Sequence, residues 1–413
     1  MSIALHCKRA VLAASILLST TVSGITAAEP IASARIDAIK AELKQRVDNG
    51  ELAGVVAMVA KDGVVQMKES YGYRDLENNV AMTDDSLFRI FSMTKPIAGT
   101  ALMMLYDEGK FKLDDPVEKY IPELKGLEVY TGVADDGSFT TEPAEHPTTI
   151  RELMSHTGGY AYFPPLSRGP VPSAYAKANI LGRDTTLADM ADKLSSIPLN
   201  HQPGSRWMYS ISVDIQGYLV EVLSGKPFDE FLQERLFSPL GMKDTSFQVP
   251  TEKANRLVRR YRPGKDGKLA SPENSTYLKP TTFFSGGGGL ISTAEDYMHF
   301  ALMHVNKGVY NGKRILSEDA IDIMRSNQLP DSIANIGPGY PGNQFGVDFA
   351  IVNDPAKADG MPVGTHWWWG IAGSWFWIDP VENVVFVGMI NHDDLRYARG
   401  LHSKTRQLIY RPL

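Results

Sequence analysis

The strongest constraint on what this chain can fold into is a likeness between its two ends. "GVVAMVAKDGVVQMKESYGYRD", residues 54–75, reads as two β-branched runs joined by a turn at Asp62-Gly63, the pattern of a β-hairpin. "SWFWIDPVENVVFVGMIN", residues 374–391, repeats strand, turn and strand. A helical pattern accompanies each pair. Ile36, Ile39, Leu43 and Val47 recur at helical spacing up to Asn49-Gly50, and "LRYARGLHSKTRQLIY" follows the second hairpin. Ends of one type are expected to share an antiparallel sheet with helices packed on it.

The middle differs. From about Ala98 to Gly241 the patterns are mostly helical, broken by loops such as "TGVADDGSFTTEPAEHP" and "YAYFPPLSRGPVPSAY". The reading is an α/β (α+β) fold in which an antiparallel sheet flanked by helices carries an inserted, mainly helical lobe. Residues 29–97 and 281–413 form the first lobe, 98–280 the second, and an active site is expected between them. The run "SGGGG", 285–289, lacks the Lys-Ser/Thr of a phosphate loop. Its glycines are expected to let a strand approach neighbouring backbone closely. In "STAED", Ser292 and Glu295 have capping-box spacing and predict a helix start.

Composition narrows the function. The chain has 413 residues, 43% hydrophobic and 22% charged, with a formal net charge of -6. That is an ordinary globular balance with no basic footprint, so no nucleic-acid partner is expected. Residues 1–28 read as a signal peptide: Lys8 and Arg9 precede the short apolar run "AVLAASILLS", and "TAAEP" offers cleavage after Ala28. The expectation is a periplasmic or secreted protein with no membrane span. The single cysteine, Cys7, lies in that leader. Disulfides, thiolate ligands and a cysteine nucleophile are therefore not expected. Nine histidines are scattered with no His-Glu-x-x-His pair, so no metal and no cofactor are assigned.

No serine is flanked by the glycines of a Gly-x-Ser-x-Gly elbow. Ser92 and Lys95, in "FSMTKPIAGTALMMLYDEG", instead stand three apart at the start of an apolar stripe made by Ile97, Ala98, Ala101, Leu102 and Leu105. Pro96 is tolerated only in a first turn, which places the helix start near Ser92. The two side chains then share a face at a helix N-terminus, where free N–H groups favour developing negative charge. An amine within reach of a hydroxyl can activate it as a nucleophile. The same spacing also arises by chance, and by itself fits an ordinary solvated helix start.

Six segments in order decide between these. "FRIFSMTKPIAGTALMMLYDEGKFKLDDPVEKYIPEL", "TIRELMSHTGG", "QPGSRWMYSISVDIQGYLVE", "PLGMKDTSF", "GGGGLISTAEDY" and "WGIAGSWFWIDP" resemble the β-lactamase and penicillin-binding-protein serine hydrolases. The agreement is closest to class C β-lactamases and family VIII carboxylesterases. The resemblance implies Ser92 as nucleophile, Lys95 as its partner and Tyr209 as proton shuttle. A Lys95–Tyr209 pair titrating together would lower the phenol's pKa. It also implies an oxyanion hole from the backbone N–H groups of Ser92 and Ile371.

Where lactamases carry Lys-Thr-Gly, this chain has Trp368-Trp369-Gly370, and Ile211 stands where the motif expects asparagine. Both changes remove polar contacts to a β-lactam, and a tryptophan-glycine pair resembles the carboxylesterase branch. Substrate contacts are expected from Trp368, Trp369 and Gly370, with Tyr160 and the Tyr/Pro-rich loop "YAYFPPL" on the cleft rim. His156 and His366 are candidate bases that the mechanism does not require. The expected activity is hydrolysis of small or medium acyl esters. Amide hydrolysis, by a D-residue peptidase or weak β-lactamase, is the alternative, followed by non-catalytic binding of cell-wall ligands.

Overall fold

The computed structural model describes residues 30–271 and 275–413. The expected leader, 1–28, lies outside the described residues. Asp62 and Gly63 close the first hairpin at φ 51° and 78°, a two-residue turn whose twist matches that of the flanking strands. The hairpin strands are β1 (Gly54–Lys61) and β2 (Val64–Asp75), with β3 (Val80–Ala81) at the edge. Near the other end lie β4 (Asn343–Phe345), β5 (Ala350–Val352), β6 (His366–Trp369), β7 (Trp375–Asp379) and β8 (Val384–Met389).

All eight join one antiparallel sheet in the order β4-β5-β6-β7-β8-β1-β2-β3. The two chain ends therefore meet at its centre, where Val56 pairs with Met389 and Ala60 with Val385. Continuous apolar sequence explains that placement, because β7 and β8 are buried along their whole length and β1 at all but its last residue.

Helices cover both faces. On β7, Trp375 stacks on His402 and Trp377 hydrogen-bonds Tyr410, both from α5 (Leu395–Tyr410). Phe376 between them points the other way, with its ring 4.9 Å from that of Tyr297 in α4 (Ala294–Val305). Alternation along a strand thus sets α4 and α5 on opposite faces. Helix α1 (Ser33–Asp48) packs beside α5 and against β2. Among the described residues no helix is long and apolar enough to cross a membrane.

Helix α2 (Thr94–Asp107) is buried from Thr94 to Leu105, as befits a helix that is apolar all round. It packs against α3 (Ser212–Ser224). The lobe boundary expected at residue 97 therefore falls inside one continuous helix.

Two local readings change. Helix α4 is capped by Thr293, whose side chain accepts from the Asp296 N–H, rather than by Ser292. Ser292 is held in a short strand opposite Phe88. The glycine run forms a turn against the start of α3, not a strand: a side chain at Gly286 would strike the Val213 carbonyl, and one at Gly287 would lie 2.5 Å from Asp214 Oδ2.

Candidate active site

The segment before α2 is set by an unusual backbone. Phe91 has φ 44°, a conformation that bulky residues rarely hold unless their surroundings enforce it. Its ring meets Tyr277 edge-on at 6.3 Å, and the Arg260 guanidinium lies 5.3 Å from the ring centroid. A 3₁₀ turn over Phe91–Met93 follows and presents Ser92 at the mouth of α2.

Lys95 lies one turn on and is fully buried. Its Nζ is 3.3 Å from Ser92 Oγ, 2.9 Å from Tyr162 Oη and 2.6 Å from the Gly287 carbonyl. The carbonyl can only accept and the phenol can accept, so two of the lysine's N–H groups have fixed partners and its third valence faces the Ser92 hydroxyl.

Tyr209 completes the group. Its hydroxyl is within hydrogen-bonding reach of Ser92 and accepts from Trp368 Nε1 at 3.3 Å. Burial pushes the phenol well above its usual range, against those two hydrogen bonds. This differs from the expectation that Lys95 would lower it. Nζ sits 4.6 Å from the centroid of the Tyr209 ring and makes its hydrogen bond to the other phenol, Tyr162. Tyr209 therefore rests protonated, as a donor.

Two buried carboxyls underlie the lysine. Asp214 accepts from Ser285 Oγ (2.5 Å) and the Gly287 N–H (3.0 Å), fixing the loop whose carbonyl receives Lys95. Burial raises its pKa, opposed by Ser285 and Lys95. Asp348, held by Gln216 at 3.2 Å, is raised well above the usual carboxylate range by the same cause.

The sequence-predicted residues fall into distinct places. Ser92, Tyr209, Trp369 and Ile371 line one cleft of about 350 Å³. Gly370 packs where any side chain would strike the Ile90 carbonyl, so the end of β6 closes on the segment before Ser92. Trp368 faces away from the cleft, buried against Tyr209, Tyr340 and Phe345.

Tyr160, expected on the rim, is buried beside a separate hollow with Thr148 and Leu199. Tyr162, two residues on, enters the site instead. His156 accepts the Ser210 N–H on Nδ1 and packs 5.0 Å from the Tyr209 ring. Burial holds it neutral, its pKa well below the usual range. His366 is buried away from the cleft against Phe349. Sequence reasoning placed Tyr162 only as part of the rim loop "YAYFPPL", two of whose residues, Tyr162 and Leu166, do line the cleft, and it missed Asp214 and Gly287. The only available signal was that the unexplained glycine run had to serve some close approach.

Residues 39–407 match the family model described as Beta-lactamase. The chain belongs to the β-lactamase family. An uncharacterized protein of Mycobacterium tuberculosis is 35% identical over 86% of this chain and 90% of its own length. Esterase EstB of Burkholderia gladioli is 32% identical over 83% of this chain and 86% of its own. The solved structure of EstCE1, described as a hydrolase with promiscuous acyltransferase activity, superposes with a TM-score of 0.78 at 24% identity, covering 92% of this chain and 99% of that one. This β-lactamase-family chain is accordingly a serine hydrolase with the β-lactamase fold.

Proposed function

We propose that the protein is an exported carboxylesterase that works through a Ser92 acyl-enzyme. The observation that carries this reading is the convergence of Ser92 Oγ, Lys95 Nζ and Tyr209 Oη at one end of a cleft whose other lining is largely apolar and aromatic. Ser92 Oγ attacks the ester carbonyl carbon while its proton passes to Lys95. The N–H groups of Ser92 and Ile371 receive the oxyanion. Neither N–H has an acceptor among the described residues. As the intermediate collapses the C–O bond to the alcohol breaks and Tyr209 donates its proton to the leaving oxygen, which leaves a transient phenolate beside the protonated Lys95. Water then attacks the acyl-enzyme along the reverse proton path, releasing the acid and restoring the Ser92 hydroxyl.

The ester preference has its own support. Trp368 replaces a cation with a buried indole that braces Tyr209, leaving that position with no charge for a β-lactam carboxylate. EstB, similar along most of both chains, is named as an esterase. Export rests on the pattern of residues 1–28 alone.

The test compares the protein with Ser92→Ala on p-nitrophenyl esters, a chromogenic cephalosporin and a D-alanine peptide. Ester turnover that falls by about 10⁴-fold or more in the variant is expected. Dominant cephalosporin or peptide turnover would move the assignment to amide hydrolysis. Ester turnover indifferent to the substitution would remove Ser92 from the mechanism.

A further inference from the structure

Arg183 is the only formally charged side chain among the described residues that line the catalytic cleft. It is half-buried, and its setting is built rather than incidental. The Arg183 carbonyl accepts from Thr281 Oγ1 at 2.9 Å and from the Thr282 N–H at 3.2 Å, so its loop is tied to the opposite segment. The guanidinium lies 5.2 Å from the centroid of the Tyr277 ring, and Tyr277 in turn meets Phe91, the residue before Ser92. A cation–π contact of this kind fixes the plane of the fork while leaving its N–H edge available.

Among the described residues that fork has no ion pair, and its one hydrogen bond, to the Lys279 carbonyl, is long at 3.4 Å. A guanidinium carries five donors. Leu166, Leu181 and Phe283 supply apolar wall around it. The whole chain is acidic, so this cation belongs to no general basic field. A largely apolar cleft that holds both a reacting hydroxyl and a guanidinium with no ion pair among the described residues is complementary to an apolar chain ending in a carboxylate.

We propose that Arg183 is a specificity determinant that pairs with a free carboxylate on the substrate, so that the favoured substrates are esters carrying an acid group beyond the scissile bond. The inference rests on ester hydrolysis at Ser92.

The experiment measures kcat/KM on mono-p-nitrophenyl esters of straight-chain diacids, adipate to sebacate, each against its methyl-terminated isostere. A reciprocal set places the carboxylate on the alcohol. At least one acid member is expected to exceed its neutral partner by about ten-fold, mainly through KM, with the advantage shrinking as salt rises. Arg183→Met should abolish that ratio and Arg183→Lys keep part of it. Arg183→Glu should turn the preference toward amine-terminated esters. Neutral esters turned over with no acid preference at any length, or a preference that survives Arg183→Met, would overturn the inference alone. No ester turnover, with Ser92 unlabelled by a fluorophosphonate probe, would overturn the ester reading and this inference with it.

Discussion

Lys95 has no solvent and three oxygen neighbours, and those three come from very different stretches of chain. Ser92 is three residues away, Tyr162 is 67 and Gly287 is 192. The nearest partner was legible in the sequence because a helix start brings residues three apart onto one face. The distant two were not, since spacing carries no information across separate elements. Tyr160 and Tyr162 illustrate the limit: both are tyrosines of one loop, and only packing sends one to a separate hollow and the other to the lysine. Tyr162→Phe keeps the ring and removes the oxygen that accepts one Lys95 N–H. The amine is then no longer steered to Ser92, and kcat should fall by about 10²-fold with KM little changed. A steady-state comparison on one p-nitrophenyl ester decides it; an unchanged kcat would leave Tyr162 as wall only.

Among the elements, α4 shows how a cap can slip by one residue. Ser292 and Glu295 have the spacing, but Ser292 is committed to its strand partner Phe88, so Thr293 takes the cap and Asp296 the third helical position. Asp296 is then drawn inward, accepting from the Asp244 N–H (2.7 Å) and Thr245 Oγ1 (2.8 Å). Burial raises its pKa from 3.8 to about 6, against those hydrogen bonds. A carboxyl raised in the folded state contributes stability that is complete below its unfolded pKa and is lost as pH rises through the folded one. The window here is from about pH 4 to about pH 6, with a full difference on the order of 3 kcal/mol. Asp296→Asn retains an acceptor and deletes the titration. Urea unfolding should therefore find the variant gaining on the parent as pH rises from 4 to 7; a constant gap would refute this account. The regular strands and long helices, by contrast, were readable because β1, β7, β8 and α2 bury nearly everything they carry, and unbroken apolar runs advertise that.

At the scale of the molecule, the likeness between the ends proved to be a direct pairing of β1 with β8. Composition could suggest a shared sheet, but not that its central seam would join residues more than three hundred positions apart. Removing residues 381–413 deletes β8 and α5 and exposes the apolar flanks of β1 and β7 together. The truncated chain should lose its cooperative unfolding transition and its solubility, readable by circular dichroism and sedimentation. A soluble, cooperatively melting fragment would show that the helical lobe stands alone. The seam also has a meaning in time. Ser92 is made early, whereas the strand end that closes on it at Gly370 is made late and is clamped by β7 and β8. A half-synthesised chain carries the serine and its lysine without the wall that completes their cleft, so the appearance of activity marks the finishing of the polypeptide.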